Sequence, residues 1–149
     1  MKKILKKLLT EETVFPDMTA VTKEGIILEL IERLTSNGKL KNKVAALKAV
    51  MARENKMSTG MENGIAIPHG KSDEITELVA AIGRTSHGVD FNSIDKKPSR
   101  IFIMTLSPQS HSGPHLQFLA EVSKLLKNVE TREKLLDANS SRDILNILL

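Results

Sequence analysis

The chain has 149 residues, 40% hydrophobic and 27% charged, an ordinary soluble globular composition with room for one real core. Cysteine is absent, which excludes a disulfide framework, a thiolate nucleophile and Cys-type zinc or iron–sulfur sites. The net charge of +4 resides in Lys2, Lys3, Lys6 and Lys7, ahead of the first acid, Glu11, leaving 18 basic against 18 acidic residues in the body. With aromatics at 3% and no Trp or Tyr, neither a basic footprint nor stacking platforms for nucleic acid are expected.

The opening MKKILKKLL interrupts its apolar residues with lysine pairs, so it lacks the h-region of a secretory signal and reads as a short surface helix. Ile26, Ile27, Leu30, Ile31 and Leu34 form one helical stripe, with Thr22 as its cap and Asn37-Gly38 as its end. A second helix is expected over Lys43–Glu54, with Val44, Leu47, Val50 and Met51 facing inward. Ser58-Thr59-Gly60 and Glu62-Asn63-Gly64 are loop-like, and Ile65-Ala66-Ile67 is a buried strand stopped by Pro68. Leu78–Thr85 is a strand, and so is Arg100–Leu106, apolar enough to be covered on both faces. After the SPQSHSG loop a helix opens at Pro114 and runs to Leu126, and two short helices follow over Thr131–Leu136 and Ser141–Leu148. Helices, then strands, then helices give an α+β class, with a mixed sheet covered by helices and no boundary within 1–149. No stretch reaches the ~18 apolar residues of a membrane span, so a cytoplasmic protein without membrane insertion is expected.

Chemistry concentrates at His69. It follows a strand end, Pro68 restricts the approach, and Gly70 removes a side chain so that a bulky partner or an anion could come close. Lys71 adds positive charge. A neutral imidazole so placed suits a nucleophile for phosphoryl transfer, and it would also suit a metal ligand. His115 falls at the second position of the helix opening at Pro114, capped by Ser112 or Gly113, where unpaired N–H groups favour anions. Arg53 reads locally as a cation at a helix C-terminus. His87 lies in a turn before a short strand, and His111 in a loop; neither has a chemical role from local sequence.

GIAIPHGKSD, with the Arg of MARE sixteen residues before its histidine and PHLQFLA after it, resembles the enzyme IIA domain of the fructose–mannitol class of the bacterial phosphotransferase system. That class includes the nitrogen-type regulatory enzyme IIA. The resemblance implies a single three-layer αβα domain with a mixed sheet and a phosphotransferase activity carried on a phosphohistidine. It implies His69 as phosphoryl acceptor, with Arg53 and His115 around it at a cleft. The implied donor is HPr or its nitrogen-branch counterpart, and the implied acceptor is an enzyme IIB domain or a regulated target protein. No cofactor or metal is implied. Ser58 and Thr59 are candidates for further hydroxyl donors to the phosphate.

Three readings stand at this point. A regulatory nitrogen-type IIA protein is favoured because the chain ends at Leu149 without a IIB or membrane part. A sugar-specific IIA component for fructose or a related sugar is the alternative. A metal protein using His69, His111 and His115 is weakest, since Gly113-Pro114 spoils a helical ligand pair.

Overall fold

The computed structural model describes residues 3–110 and 112–149. Its helices and strands run α1 (Lys3–Leu8), β1 (Val14–Phe15), α2 (Lys23–Ser36), α3 (Lys43–Lys56), β2 (Ile65–Ala66), β3 (His69–Lys71), β4 (Val79–Val89), β5 (Ser99–Ser107), α4 (Ser112–Leu126), α5 (Val129–Asp137) and α6 (Ser141–Leu148).

The sheet has the order β1-β4-β5-β2, with β3 also on β5. β4 and β5 are antiparallel, whereas β1 runs parallel to β4, and β2 and β3 run parallel to β5. The sheet is therefore mixed. Alternation along β5 divides the core. Phe102, Met104 and Leu106 face a cluster with α2 and α3, while Ile101 and Ile103 face a cluster with α1, α4, α5 and α6. Helices thus cover both faces, which is the layered α+β arrangement expected from the sequence.

Local chemistry explains the helix ends. Thr22 accepts from Gly25 N at the start of α2, and the stripe Ile26, Ile27, Leu30, Ile31 and Leu34 is wholly buried. Each such side chain contributes about 1.5–3 kcal/mol by leaving water. At the far end Gly38 takes φ +76°, and Lys39 N reaches back to Leu34 O at 2.8 Å, closing the helix with a left-handed residue. In α3, Asn42 caps by accepting from Ala45 N. Ala46 and Val50 face the sheet, and Leu47 and Met51 pack at the margin. Val44 does not face inward: it is 76% exposed. Two residues of helix place it some 200° around the axis from Ala46, off the buried stripe.

The short strands escaped the sequence pattern. β1 has two residues, too few to show alternation. β3 begins immediately after the proline expected to end the strand. The pairs Ile65–Ile101, Ala66–Phe102 and His69–Thr105 keep one register, so β2 and β3 form a single edge interrupted at Ile67-Pro68. Pro68 lacks an N–H but its carbonyl still accepts from Thr105 N at 3.3 Å. β4 runs four residues beyond Thr85 through an irregularity between Arg84 and Val89, so His87 lies in a strand rather than a turn. α4 begins at Ser112, two residues ahead of Pro114. Among the described residues no helix is long and apolar enough to cross a membrane.

Candidate active site

His69 opens β3 opposite Thr105, so both side chains project from the α4 face of the sheet. The His69 ring lies half-buried with Nδ1 2.7 Å from Ile67 O. A carbonyl only accepts, so the proton sits on Nδ1 and the lone pair is on Nε2. Burial is the main cause that holds the His69 pKa below its ordinary value. The Arg53 and Lys71 charges push the same way, whereas the Ile67 hydrogen bond and the Glu54 charge oppose them. The imidazole is therefore neutral near pH 7.

The neighbouring Gly70 does not leave a gap for a partner or an anion, as the sequence led us to expect. A Cβ there would meet Ala49 C and Val50 N at 2.8 Å, so the missing side chain is what lets β3 lie against the backbone of α3. This close approach carries the end of α3 to the His69 edge of the sheet. Arg53, in the last turn of α3, donates from Nη1 to Met57 O at 2.6 Å and acts electrostatically on His69.

His115 comes from the opposite side. The rings of His69 and His115 stand edge to face, 5.9 Å between centroids and 82° between planes. His115 is the fourth residue of α4 rather than the second, and it is 2% exposed rather than at the surface of a cleft. Its Nε2 is 2.9 Å from Thr105 Oγ1 and its Nδ1 is 3.0 Å from Ser107 Oγ. One nitrogen donates and the other accepts, so the two hydroxyls lock a neutral ring. Burial first, then the charges of His69 and Lys71, bring its pKa down to about 4. Thr105 and Ser107 continue the row begun by Ile101 and Ile103, where the strand turns from apolar to hydroxyl-bearing.

Ser58 and Thr59 spend their hydroxyls elsewhere. Ser58 Oγ donates to Phe91 O and accepts from Gly60 N at 3.0 Å. Thr59 is buried and donates from Oγ1 to Glu54 Oε1 at 2.5 Å. Lys71 donates to Ser112 Oγ at 3.0 Å, tying β3 to the start of α4. His87 meets Ala20 O through Nε2 at 2.8 Å, far along β4 from His69. His111 lies outside the described residues. Among those described, no group of three or more His, Asp or Glu is arranged to hold a metal.

Glu54, Thr105 and Ser107 were missed by sequence reasoning. Glu54 had a signal: it lies four residues beyond Val50, a charged group on the buried stripe of an amphipathic helix.

Residues 7–149 match the protein family described as "Phosphoenolpyruvate-dependent sugar phosphotransferase system, EIIA 2". The chain belongs to this family. It is 37% identical over 127 residues to the fructose-specific EIIA component of the phosphotransferase system of Haloferax volcanii, covering 85% of this chain and 82% of that protein. It is 31% identical over 122 residues to the nitrogen regulatory protein of Escherichia coli strain K12, covering 81% and 75%. Nitrogen regulatory protein IIA-Ntr from Neisseria meningitidis superposes with a TM-score of 0.89 at 27% identity, over 98% of this chain and 99% of that one. The EIIA family thus includes both sugar-specific and nitrogen regulatory relatives of this chain.

Proposed function

We propose that the protein is a phosphohistidine carrier with His69 Nε2 as its acceptor atom. The observation that carries this reading is the Nδ1 hydrogen bond to Ile67 O, which leaves the Nε2 lone pair free on a neutral ring. The lone pair attacks phosphorus of a donor phosphohistidine, the N–P bond of the donor breaks, and the donor imidazole leaves with the electron pair. The Nδ1–H stays on His69, and Ile67 O stabilises the positive charge that develops on the ring. Arg53 turns its guanidinium from the Met57 carbonyl to the phosphoryl oxygens. Those oxygens compete with the Thr105 and Ser107 hydroxyls for the His115 N–H. HPr or its nitrogen-branch counterpart is the donor, and no metal enters the transfer.

Two acceptors have support. Identity to the Haloferax fructose-specific component favours a sugar-branch IIB domain, and the close superposition on the Neisseria regulatory protein favours a regulated target. Incubation with phosphoenolpyruvate, enzyme I and each donor, read by intact mass, tests the carrier reading. One acid-labile phosphoryl group should appear on the wild type and none on His69→Ala. Phosphorylation that persists in His69→Ala would overturn it. Adding a fructose-type IIB domain then separates the branches: loss of the label to IIB assigns the sugar branch, and retention assigns regulation.

A further inference from the structure

The Glu54 carboxylate is buried at the end of α3, an expensive place for a charge unless it is paired and hydrogen-bonded. Here it is both. Lys23 Nζ lies 3.1 Å from Oε2, Thr59 N donates to Oε2 at 2.9 Å, and the Thr59 hydroxyl donates to Oε1. An apolar pair of the same volume would hold two helices together as well or better, so stability alone is a weak account of this ion pair.

The hydrogen bonds lead from it to the acceptor. Thr59 O accepts from Ile67 N at 3.0 Å. Ile67 O in turn accepts from His69 Nδ1 at 2.7 Å. Ile67 sits in the break between β2 and β3, and its N–H goes to the Thr59 loop rather than along the ladder to β5. Thr59, which Glu54 holds by both its backbone and its side chain, thus anchors Ile67 by its N–H, one peptide unit before the Ile67–Pro68 carbonyl that fixes the His69 proton. A backbone carbonyl on the second ring nitrogen fixes tautomer and ring orientation in the same way for metal-ligating histidines.

We propose that Glu54 is a positioning residue for His69, holding the Nδ1–H form of the ring by anchoring Thr59 and, through it, Ile67. The inference rests on reading His69 as the acceptor. Among the described residues, the charged and titratable groups that act on the ring are Arg53 and Glu54 from α3, Lys71 from β3 and His115 from α4. Glu54 is the one carboxylate among them, and its charge raises the ring's basicity after the larger effect of the Ile67 hydrogen bond.

The test uses imidazole ¹⁵N spectra of the unphosphorylated full chain, so its readout does not depend on phosphoryl transfer. Wild type should show His69 as the Nδ1–H tautomer. Glu54→Gln should lower the His69 pKa and mix the tautomers, whereas Lys23→Met, which leaves the carboxylate uncompensated, should raise that pKa. Opposite shifts from the two halves of one ion pair are not what loosened packing would produce. Phosphoryl uptake by Glu54→Gln should fall roughly tenfold or more, the scale of a misplaced reacting group. An unchanged His69 pKa and tautomer in either folded variant would overturn the inference. If Glu54→Gln does not fold, Lys23→Met alone decides by the sign of its shift. Phosphorylation that survives in His69→Ala would instead remove the acceptor reading, a separate result from unchanged ring spectra.

Discussion

Acidification should cost the protein about 3 kcal/mol through His115 alone. The ring is held at a pKa of about 4 when folded, against 6.5 for an ordinary histidine, and the cause is burial reinforced by His69 and Lys71. A histidine with a depressed folded pKa adds stability above its unfolded pKa, because the unfolded chain binds the proton more tightly. That stability is intact above pH 6.5 and drains as pH falls toward 4. At about 1.4 kcal/mol per pKa unit, the gap amounts to ~3 kcal/mol over that window. The discount for solvent is small, since His115 is 2% exposed. The assay is the urea midpoint of wild type and His115→Gln at half-unit steps from pH 7 to pH 4. Glutamine keeps a hydrogen-bonding amide near Thr105 and Ser107 but does not titrate there. Groups distant from His115 titrate alike in both proteins and cancel in the difference, and the small change at neighbouring His69 is followed by its own imidazole resonances. The wild type should lose about 3 kcal/mol more than the variant across the window. Parallel curves, with a difference that changes by less than about 0.5 kcal/mol, would show that His115 is not a buried neutral ring.

Arg53→Ala should slow phosphoryl uptake roughly 10²-fold, the effect of losing one donor to developing charge, and cost less than about 1 kcal/mol of stability, as its folded-state bond is one exposed contact to Met57 O. Rapid-quench phosphorylation and urea midpoints measure the two effects. Gly70→Ala should destabilise by about 1–3 kcal/mol and slow transfer as well, since the new methyl meets α3 backbone at 2.8 Å and must push β3 away; a neutral result in a urea titration would mean the strand and helix are not locked together.

Much of this architecture was legible because it obeys simple periodicities. The α2 stripe, its Thr22 cap and the Gly38 stop each have one physical cause within a few residues, and each is where the pattern places it. What was illegible depends on distant partners. Val44 fits a helical stripe in sequence, but the side of α3 that meets the sheet is decided by the approach of β3 at Gly70. His115 showed its place at a helix start, yet nothing local showed that Thr105 and Ser107, on another element, would bury and lock it. In the IPHG segment the glycine serves packing against α3 rather than access to the ring, a role that only the distant helix reveals.

The partners of the cations at this site bear on how a carrier releases what it binds. Arg53 bonds a carbonyl, and Lys71 bonds a hydroxyl. Both bonds are to neutral acceptors and both are exposed, so turning either cation toward a phosphoryl group exchanges one modest contact for a charge-assisted one without breaking an ion pair. Glu54, the adjacent carboxylate, is kept from Arg53 by its bonds to Lys23 and Thr59. Had Arg53 been paired with Glu54, each transfer would have to open a partly buried ion pair, and the phosphate would bind weakly. Had both cations been fixed rigidly around His69 with the phosphate buried, the phosphohistidine would be too stable to pass on. With His69 as the proposed acceptor, cations at the rim held by weak neutral bonds, with two neutral imidazoles beneath, are expected to let the site accept and give up the group with little difference in energy between its loaded and empty forms.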